Sequence, residues 1–301
     1  MAVDVLVTGA SGVLGRRVVG VLRGSGYRVV ACGRRPGAGV DAVWDISRQD
    51  EPEPACIANV VVHAAAQTGR YGQSASDAVS LLQANVLGTV RVANWCASRK
   101  VRKLVMISGA IVYGQWTGVP KTEADPAAPW LAGSYAVSKW CGEQVAHMVT
   151  EAGCQLAILR LSSLYGAGYN KGLIPKLIRE GAETGQVVLE PPFEDAFDLL
   201  HVSDAARTVA HAVEYGHGGL WNIGGGRLTT VRELAEICAS VTGAELVLAD
   251  NTPARPARIL NWVDDRRARK QLEHEDVFTL ERGVAETETV LCECYSPSGA
   301  Q

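Results

Sequence analysis

Tyr135-Ala136-Val137-Ser138-Lys139 sets a phenol and an ammonium four residues apart. On a helix, positions i and i+4 share a face. The lysine charge is therefore expected to stabilise the tyrosinate and bring down a phenol pKa that is ordinarily about 10. A phenol tuned in this way exchanges a proton with a substrate oxygen while hydride moves at the adjoining carbon. Two polar residues one turn apart are also commonplace on helix surfaces, so the pair gains its weight from what precedes it.

What precedes it is Thr8-Gly9-Ala10-Ser11-Gly12-Val13-Leu14-Gly15, directly after the apolar run Val3 to Val7 and opening a helical pattern near Val13. Glycines in a strand–turn–helix setting permit close backbone approach, so a pyrophosphate can rest on the unpaired amides of the helix. Gly9, Ser11, Gly12, Val13, Leu14 and Gly15 are accordingly expected to bind a dinucleotide. The second strand ends in Ala31-Cys32-Gly33-Arg34-Arg35, with no acid for a ribose 2′-hydroxyl. Arg34 and Arg35 suit a 2′-phosphate, so NADP is expected ahead of NAD. Asp45 is positioned to accept from an adenine amino group, with Ile46 packing on the ring.

The elements that must carry these residues alternate. Short β-branched runs at Val3 to Val7, Tyr27 to Cys32, Asn59 to His63, Lys103 to Ser108 and Gln155 to Leu161 are separated by helical patterns, the longest being Ser76 to Ser98 and Ser134 to Glu151. This order predicts an α/β fold, a Rossmann-type doubly wound parallel sheet. Beyond about Tyr165 the elements shorten and Pro and Gly interrupt them, which predicts a smaller α/β substrate-binding lobe. The expected division is residues 1–168 for the dinucleotide-binding domain and 169–301 for the lobe, with segments around 197–222 returning to the first. Thr230-Val231-Arg232-Glu233 has the form of a capping box, another helix is expected over Asp265 to Leu272, and Ser296-Pro297-Ser298-Gly299 reads as a frayed tail.

Of 301 residues 47% are apolar and 20% charged, with a net charge of −3. Interspersed charge of this sign gives no surface for nucleic acid. No apolar run approaches the roughly 20 residues that span a bilayer, and a strand pattern beginning beside Met1 leaves no room for a secretory leader. A cytoplasmic protein acting on a small molecule is expected, without nucleic acid or membrane partners. The eight cysteines form no C-x-x-C pair and have no histidines at zinc spacing, so no metal site is expected. Most read as buried small hydrophobes, and Cys292-Glu293-Cys294 is the one close pair.

Together these motifs resemble the extended short-chain dehydrogenase/reductases, the NAD-dependent epimerase/dehydratase family, over nearly the whole chain. The resemblance includes His63-Ala64-Ala65-Ala66 at a strand end, Asn85-Val86-Leu87-Gly88-Thr89 on the next helix, and Ser108-Gly109-Ala110-Ile111-Val112-Tyr113-Gly114. Later it takes in Arg160 to Gly166, His201-Val202-Ser203-Asp204, Trp221-Asn222-Ile223-Gly224 and Asp264 to Leu272. It implies a nicotinamide cofactor contacted by His63, Ala64, Ala65, Ala66 and Leu161. Tyr135 would be the acid/base, with Lys139 holding the nicotinamide ribose and Asn85 supporting a relay to the lysine. The long helices holding Asn85 and Tyr135 resemble those that pair across family dimers, so a homodimer is expected.

The departures from the family pattern are informative. The position that carries a catalytic Ser or Thr falls on Gly109. Ser108, immediately before it, is expected to take that role, with Ser134 and Thr117 as other hydroxyls. The asparagine and arginine that meet a sugar nucleotide fall on Ser163 and Phe197, which weakens a diphosphate contact unless Lys176, Arg179, Arg227 or Arg258 compensates. Ser108, Gly109, Tyr135, Ser163 and Phe197 remain the expected substrate contacts. Trp116, Trp130, Tyr165, Tyr169 and Phe193 join Phe197 as aromatics able to line an apolar pocket. Ala110-Ile111 stands where a dehydratase carries Asp-Glu. The leading expectation is therefore an NADP-dependent oxidoreductase acting on a secondary alcohol or ketone, with a sugar or a polyketide-like ring as the candidate carriers. An epimerase holding NAD tightly and a non-catalytic nucleotide sensor are the alternatives.

Overall fold

The computed structural model describes residues 2–50, 53–68, 75–249 and 260–295. In chain order these form β1 (Ala2–Thr8), α1 (Val13–Gly24), β2 (Val29–Gly33), β3 (Ala42–Val43), β4 (Ile57–His63), α2 (Ala75–Leu82), a π-helical turn (Gln83–Leu87) and α3 (Gly88–Ser98). There follow β5 (Lys103–Gly109), α4 (Ser134–Ala146), α5 (Met148–Glu151), β6 (Gln155–Leu161), β7 (Ser163–Tyr165), α6 (Leu173–Thr184), β8 (Gln186–Leu189) and β9 (Ala196–His201). The last are α7 (Val202–Glu214), β10 (Gly219–Ile223), β11 (Leu228–Thr230), α8 (Val231–Thr242), β12 (Glu245–Leu248), β13 (Leu260–Asn261), α9 (Arg266–Gln271) and α10 (Leu280–Tyr295).

Seven strands make one parallel sheet in the order β10-β6-β5-β4-β1-β2-β3. Its strands are hydrophobic on both sides, as a sheet covered by helices requires. Val5 and Val7, Val60 and Val62, Val105 and Ile107, and Ala157 and Leu159 enter a core shared with α1 and α7. Leu6, Val61, Leu104, Met106 and Ile158 point the other way, onto Trp95 and Cys96 of α3 and onto Ala146 and Val149. On α1 the buried Leu14, Val18 and Leu22 repeat every four residues and make the apolar stripe that seats it.

A third core holds the smaller lobe together, with α6, α8 and α10 around the β8–β12 pair. β9 bridges β7, β11 and β13. Thr230 caps α8 by accepting from the Glu233 amide at 3.1 Å. Glu233 itself turns to Arg227 at 2.6 Å, so only half of the capping box forms. Among the described residues no helix is long and apolar enough to cross a membrane.

The chain leaves β1 toward β2 on one side and returns through β4 on the other, so the order reverses beside β1. Ligands bind outside the carboxyl ends of strands at such a switch point. Register gathers the expected site there: Thr8 lies opposite His63, His63 opposite Met106, and Gly109 opposite Leu161.

Candidate active site

The glycine-rich turn is shaped by close approach. A Cβ on Gly9 would stand 2.5 Å from the Ala65 amide nitrogen, and one on Gly15 would stand 2.2 Å from the Gly9 carbonyl oxygen. Glycine alone lets the turn fold onto both the strand end and the first coil of α1. Gly12 is the N-cap of α1, with no side chain capping the helix and no acid in its first turn. The first amides of α1 thus face outward beside an exposed Ser11, the donor set that a pyrophosphate takes. The turn fits a dinucleotide, as do Ala64 and Ala65, which pack against it.

His63 does not face the ligand side. Its ring is 3% exposed and bridges Thr8 Oγ1 at 2.8 Å and Thr89 Oγ1 at 3.0 Å. Burial, reinforced by the Lys139 charge, pushes it down to about 3, so it is a neutral strut joining β1, β4 and α3. Thr8 also accepts from the Ala65 amide at 3.3 Å. The threonines at both ends of this strut were not singled out from the sequence, because a hydroxyl that ends a strand carries no signal until its partner is placed.

Arg34 and Arg35 follow β2 and are exposed, with no ion pair assigned to either among the described residues. Asp45 accepts from the Ser47 amide at 3.0 Å and its hydroxyl at 2.6 Å. Ile46 departs from expectation. Its side chain is 5% exposed, inside the core beside Trp44 and Trp95, where a Cβ on Gly88 would meet Ile46 Cδ1 at 2.9 Å. Close packing with α3 consumes the surface that was to meet an adenine.

α4 carries Tyr135 and Lys139. Its buried face consists of Ala136, Ser138, Lys139, Gly142, Glu143 and Ala146, and Gly142 lets the helix press onto the π-turn, where a Cβ would lie 2.7 Å from the Asn85 carbonyl oxygen. Lys139 Nζ donates to the Ile107 carbonyl at 2.7 Å. Burial lowers Lys139 to about 8, with the Glu143 charge opposing it. Burial raises the Tyr135 phenol above its ordinary value. Removal of the phenol from water is thus what moves it in this structure, rather than the expected lowering by the lysine.

Asn85 sits in the π-turn, a distortion that often marks functional positions. Its Nδ2 donates to the Gln67 carbonyl and to Ser138 Oγ, both at 2.9 Å, while Oδ1 accepts from the Gln67 amide at 2.8 Å. It ties the loop after β4 to α4 and touches Lys139 only through that framework.

Ser108, expected to polarise a carbonyl, is 4% exposed and donates to Glu143 Oε1 at 2.5 Å. Glu143 is held in turn by Arg160, Nε to Oε1 at 3.0 Å and Nη2 to Oε2 at 2.7 Å. Alternation along β5 turns Ser108 under α4. Gly109 follows with extended backbone (φ −141°, ψ 144°). A Cβ there would make only ordinary contacts, 3.6 Å to Ile111 Cγ2 and 3.9 Å to the Leu161 carbonyl oxygen.

Ser163 and Phe197, from adjacent β7 and β9, line a pocket of about 200 Å³ with Tyr165, Tyr169 and Leu199. Its wall includes Lys171 and the first residues of α6, whose N-cap is Gly172 with no side-chain cap. Tyr169 links the pocket with Tyr135: burial lifts its phenol to about 12, and Tyr135 adds to the shift. Ser163 Oγ accepts from Asn261 Nδ2 at 3.2 Å. Of the cations considered as compensation, Arg227 pairs with Glu233, Arg179 donates to the Asn170 carbonyl and Lys176 is exposed; Arg258 lies outside the described residues. Among the other aromatics, Trp116 packs on Tyr113, Arg232 covers Phe193 and Trp130 is 66% exposed.

Five cysteines, Cys32, Cys56, Cys96, Cys154 and Cys238, are buried, and Cys292 is exposed; the Cys294 side chain lies outside the described residues, as does the tail after Tyr295. Asp265, His274 and Asp276 converge within 4.8 Å. Arg269 binds both carboxylates, and His274 spends its nitrogens on Thr208 Oγ1 at 2.8 Å and the Gly224 carbonyl at 2.7 Å, so the cluster closes on itself.

A UDP-glucose 4-epimerase from Halalkalibacterium halodurans is 28% identical over 273 residues, covering 79% of this chain and 80% of that protein. A dTDP-glucose 4,6-dehydratase from Streptomyces griseus is 28% identical over 310 residues, covering 95% and 93%. Among solved structures, MoeE5 in complex with UDP-glucose and NAD superposes with a TM-score of 0.82 at 27% identity, covering 97% of this chain and all of that one. The model of the NAD dependent epimerase/dehydratase family matches residues 5–224. With the glycine-rich turn, the Tyr135/Lys139 helix and the parallel sheet in place, the chain belongs to the NAD-dependent epimerase/dehydratase family of enzymes, the extended short-chain dehydrogenase/reductases.

Proposed function

We propose that this protein is a nicotinamide-dependent oxidoreductase that moves hydride at a secondary alcohol or ketone carbon of a sugar, with Tyr135 as the acid/base. The carrying observation is that α4 places Tyr135 and Lys139 one turn apart, with Lys139 at the carboxyl ends of β4 and β5. The cofactor, when bound, accepts or returns the hydride. Tyr135 gives its proton to the substrate oxygen in reduction and takes it back in oxidation. Lys139 supplies an ammonium one turn along the same helix.

For the substrate, Lys171 and the open amides of α6 give the pocket an anion-receptive end, while Tyr165, Phe197 and Leu199 give it an apolar one. This combination suits a nucleotide sugar whose diphosphate meets fewer arginines than usual. Ala110 and Ile111 leave no carboxylate beside Gly109, which disfavours dehydration.

Arg34 and Arg35, exposed after β2 with no acid between them, support NADP as the preferred cofactor. The relatives support a second reading: MoeE5 holds NAD and several relatives are epimerases, which suits a chain that retains NAD and returns the hydride to the other face of a keto sugar. A homodimer through α2 and the π-turn suits the exposure of Val79 at 54%, Leu82 at 45% and Leu87 at 50%.

Mass spectrometry of nucleotide released from purified protein, with NAD and NADP titrations on R34A/R35A, tests the cofactor. Loss of NADP affinity by about tenfold or more with NAD unaffected supports the 2′-phosphate site. Wild-type preference for NAD refutes it and favours the epimerase.

A further inference from the structure

Ser108, Glu143 and Arg160 form a buried chain that the reaction as described leaves without a role. Glu143 lies one turn beyond Lys139 on α4, so Tyr135, Lys139 and Glu143 recur at i, i+4 and i+8 along one face. Its carboxylate is 1% exposed and Arg160 6%. Three donor hydrogens fix it: two from the Arg160 guanidinium, at 3.0 and 2.7 Å, and one from Ser108 at 2.5 Å. Arg160 is anchored on its far side over the Tyr113 ring, 4.8 Å from the centroid, and Tyr113 donates to Asn222 Oδ1 at 2.8 Å. A carboxylate gripped by three hydrogen bonds from β5 and β6 cannot swing away from its helix.

We propose that Glu143 is a positioning residue for Lys139: a carboxylate locked by Arg160 and Ser108 that stands one helical turn behind the ammonium on the same buried face of α4. The inference rests on the reading of Tyr135 and Lys139 as the reaction centre. Around Lys139, α4 supplies Glu143, β4 the neutral His63 and β5 the Ile107 carbonyl, while Ser108 of β5 and Arg160 of β6 hold Glu143 from behind. Glu143 is the one anionic side chain in this set. Its charge opposes the effect of burial at Lys139. Ser108 thereby gains a different task from the expected one, holding Glu143 rather than polarising a substrate.

The test is an NMR titration of lysine 13Cε in the cofactor-free protein, the Lys139 signal being assigned with K139M, together with the pH profile of kcat. The wild-type midpoint is expected near about 8. E143Q, which keeps shape and loses charge, is expected to bring midpoint and alkaline limb down by about one pH unit. E143D, which keeps charge, is expected to restore most of the shift. If E143Q does not fold, S108A reads the same chain: loss of one donor to Glu143 should raise the midpoint, with only a few-fold effect on kcat. Overturning results are a midpoint unmoved in E143Q, a milder effect in E143Q than in E143D, or a loss of kcat in S108A of 100-fold or more at every pH. Y135F separates the two readings. If it retains full turnover the reaction centre itself is misassigned, whereas an inactive Y135F beside an unshifted E143Q defeats only the role of Glu143.

Discussion

Asn85 Nδ2 donates to Ser138 Oγ at 2.9 Å, and Ser138 passes the contact on by donating to the Tyr135 carbonyl at 2.7 Å. The π-turn is thereby fastened to the first turn of the helix that carries Tyr135, the proposed acid/base. Position of the phenol depends on a side chain 50 residues earlier in sequence, through backbone and hydroxyl contacts alone.

Replacing Asn85 by Ala removes both of its donations and leaves the half-buried Gln67 amide and carbonyl without their partner. The expected cost is about 3 kcal/mol of stability, with a fall in kcat as α4 loses its register. Denaturant midpoints and steady-state kinetics on N85A check this; unchanged stability would show that water takes over the role of Asn85.

Gly109 stands at the family's hydroxyl position with room to spare. G109S is expected to leave the melting temperature within about 1 °C, since surface-like substitutions without steric conflict stay near neutral. It should raise kcat about tenfold by supplying a donor to the substrate oxygen. A fall in kcat would mean that the substrate itself fills this space.

Acid should destabilise the protein below about pH 6.5. Burial holds His63 down to about 3 and His201 down to about 4, against 6.5 when unfolded, so the unfolded chain binds two protons that the native one refuses. Asp198 works the other way: burial raises it to about 7, so the native state holds one proton that the unfolded state has released above about 4. Two gained against one lost leaves a net proton on the unfolded state, or about 1.4 kcal/mol lost per pH unit between about pH 6 and 5. Urea midpoints across this range read the sign directly; a midpoint that rises as pH falls would contradict it.

Much of the scaffold is legible in the sequence because its strands declare themselves. β6 spans Gln155–Leu161 as expected, and β5 runs one residue past the expected Ser108 to Gly109. The long pattern from Ser76 to Ser98 is instead two helices with a π-turn between them, because Asn85 needs that extra residue to reach both Gln67 and Ser138, and no periodicity records such a partner. α4 hides its core face for a related reason: Ser138, Lys139 and Glu143 are buried polar residues satisfied by one another's neighbours, so apolar spacing cannot reveal which face turns inward. Ser108 shows the limit most sharply. Its type and place in the motif suit a catalytic hydroxyl, and only the alternation of β5, with Glu143 on the buried face of α4, shows where that hydroxyl goes. Ile46 misleads likewise, since close packing against Gly88 draws it into the core. Lys171 was overlooked because a lone lysine before a helix gives no sign that α6 opens into the pocket.

The central claim is that Tyr135 moves the proton that accompanies the hydride. Single-turnover hydride transfer by Y135F, followed by nicotinamide absorbance on a sugar nucleotide with cofactor affinity measured in parallel, tests it most directly. The account predicts a rate at least 100-fold below wild type with cofactor affinity intact, and transfer at the wild-type rate would contradict it.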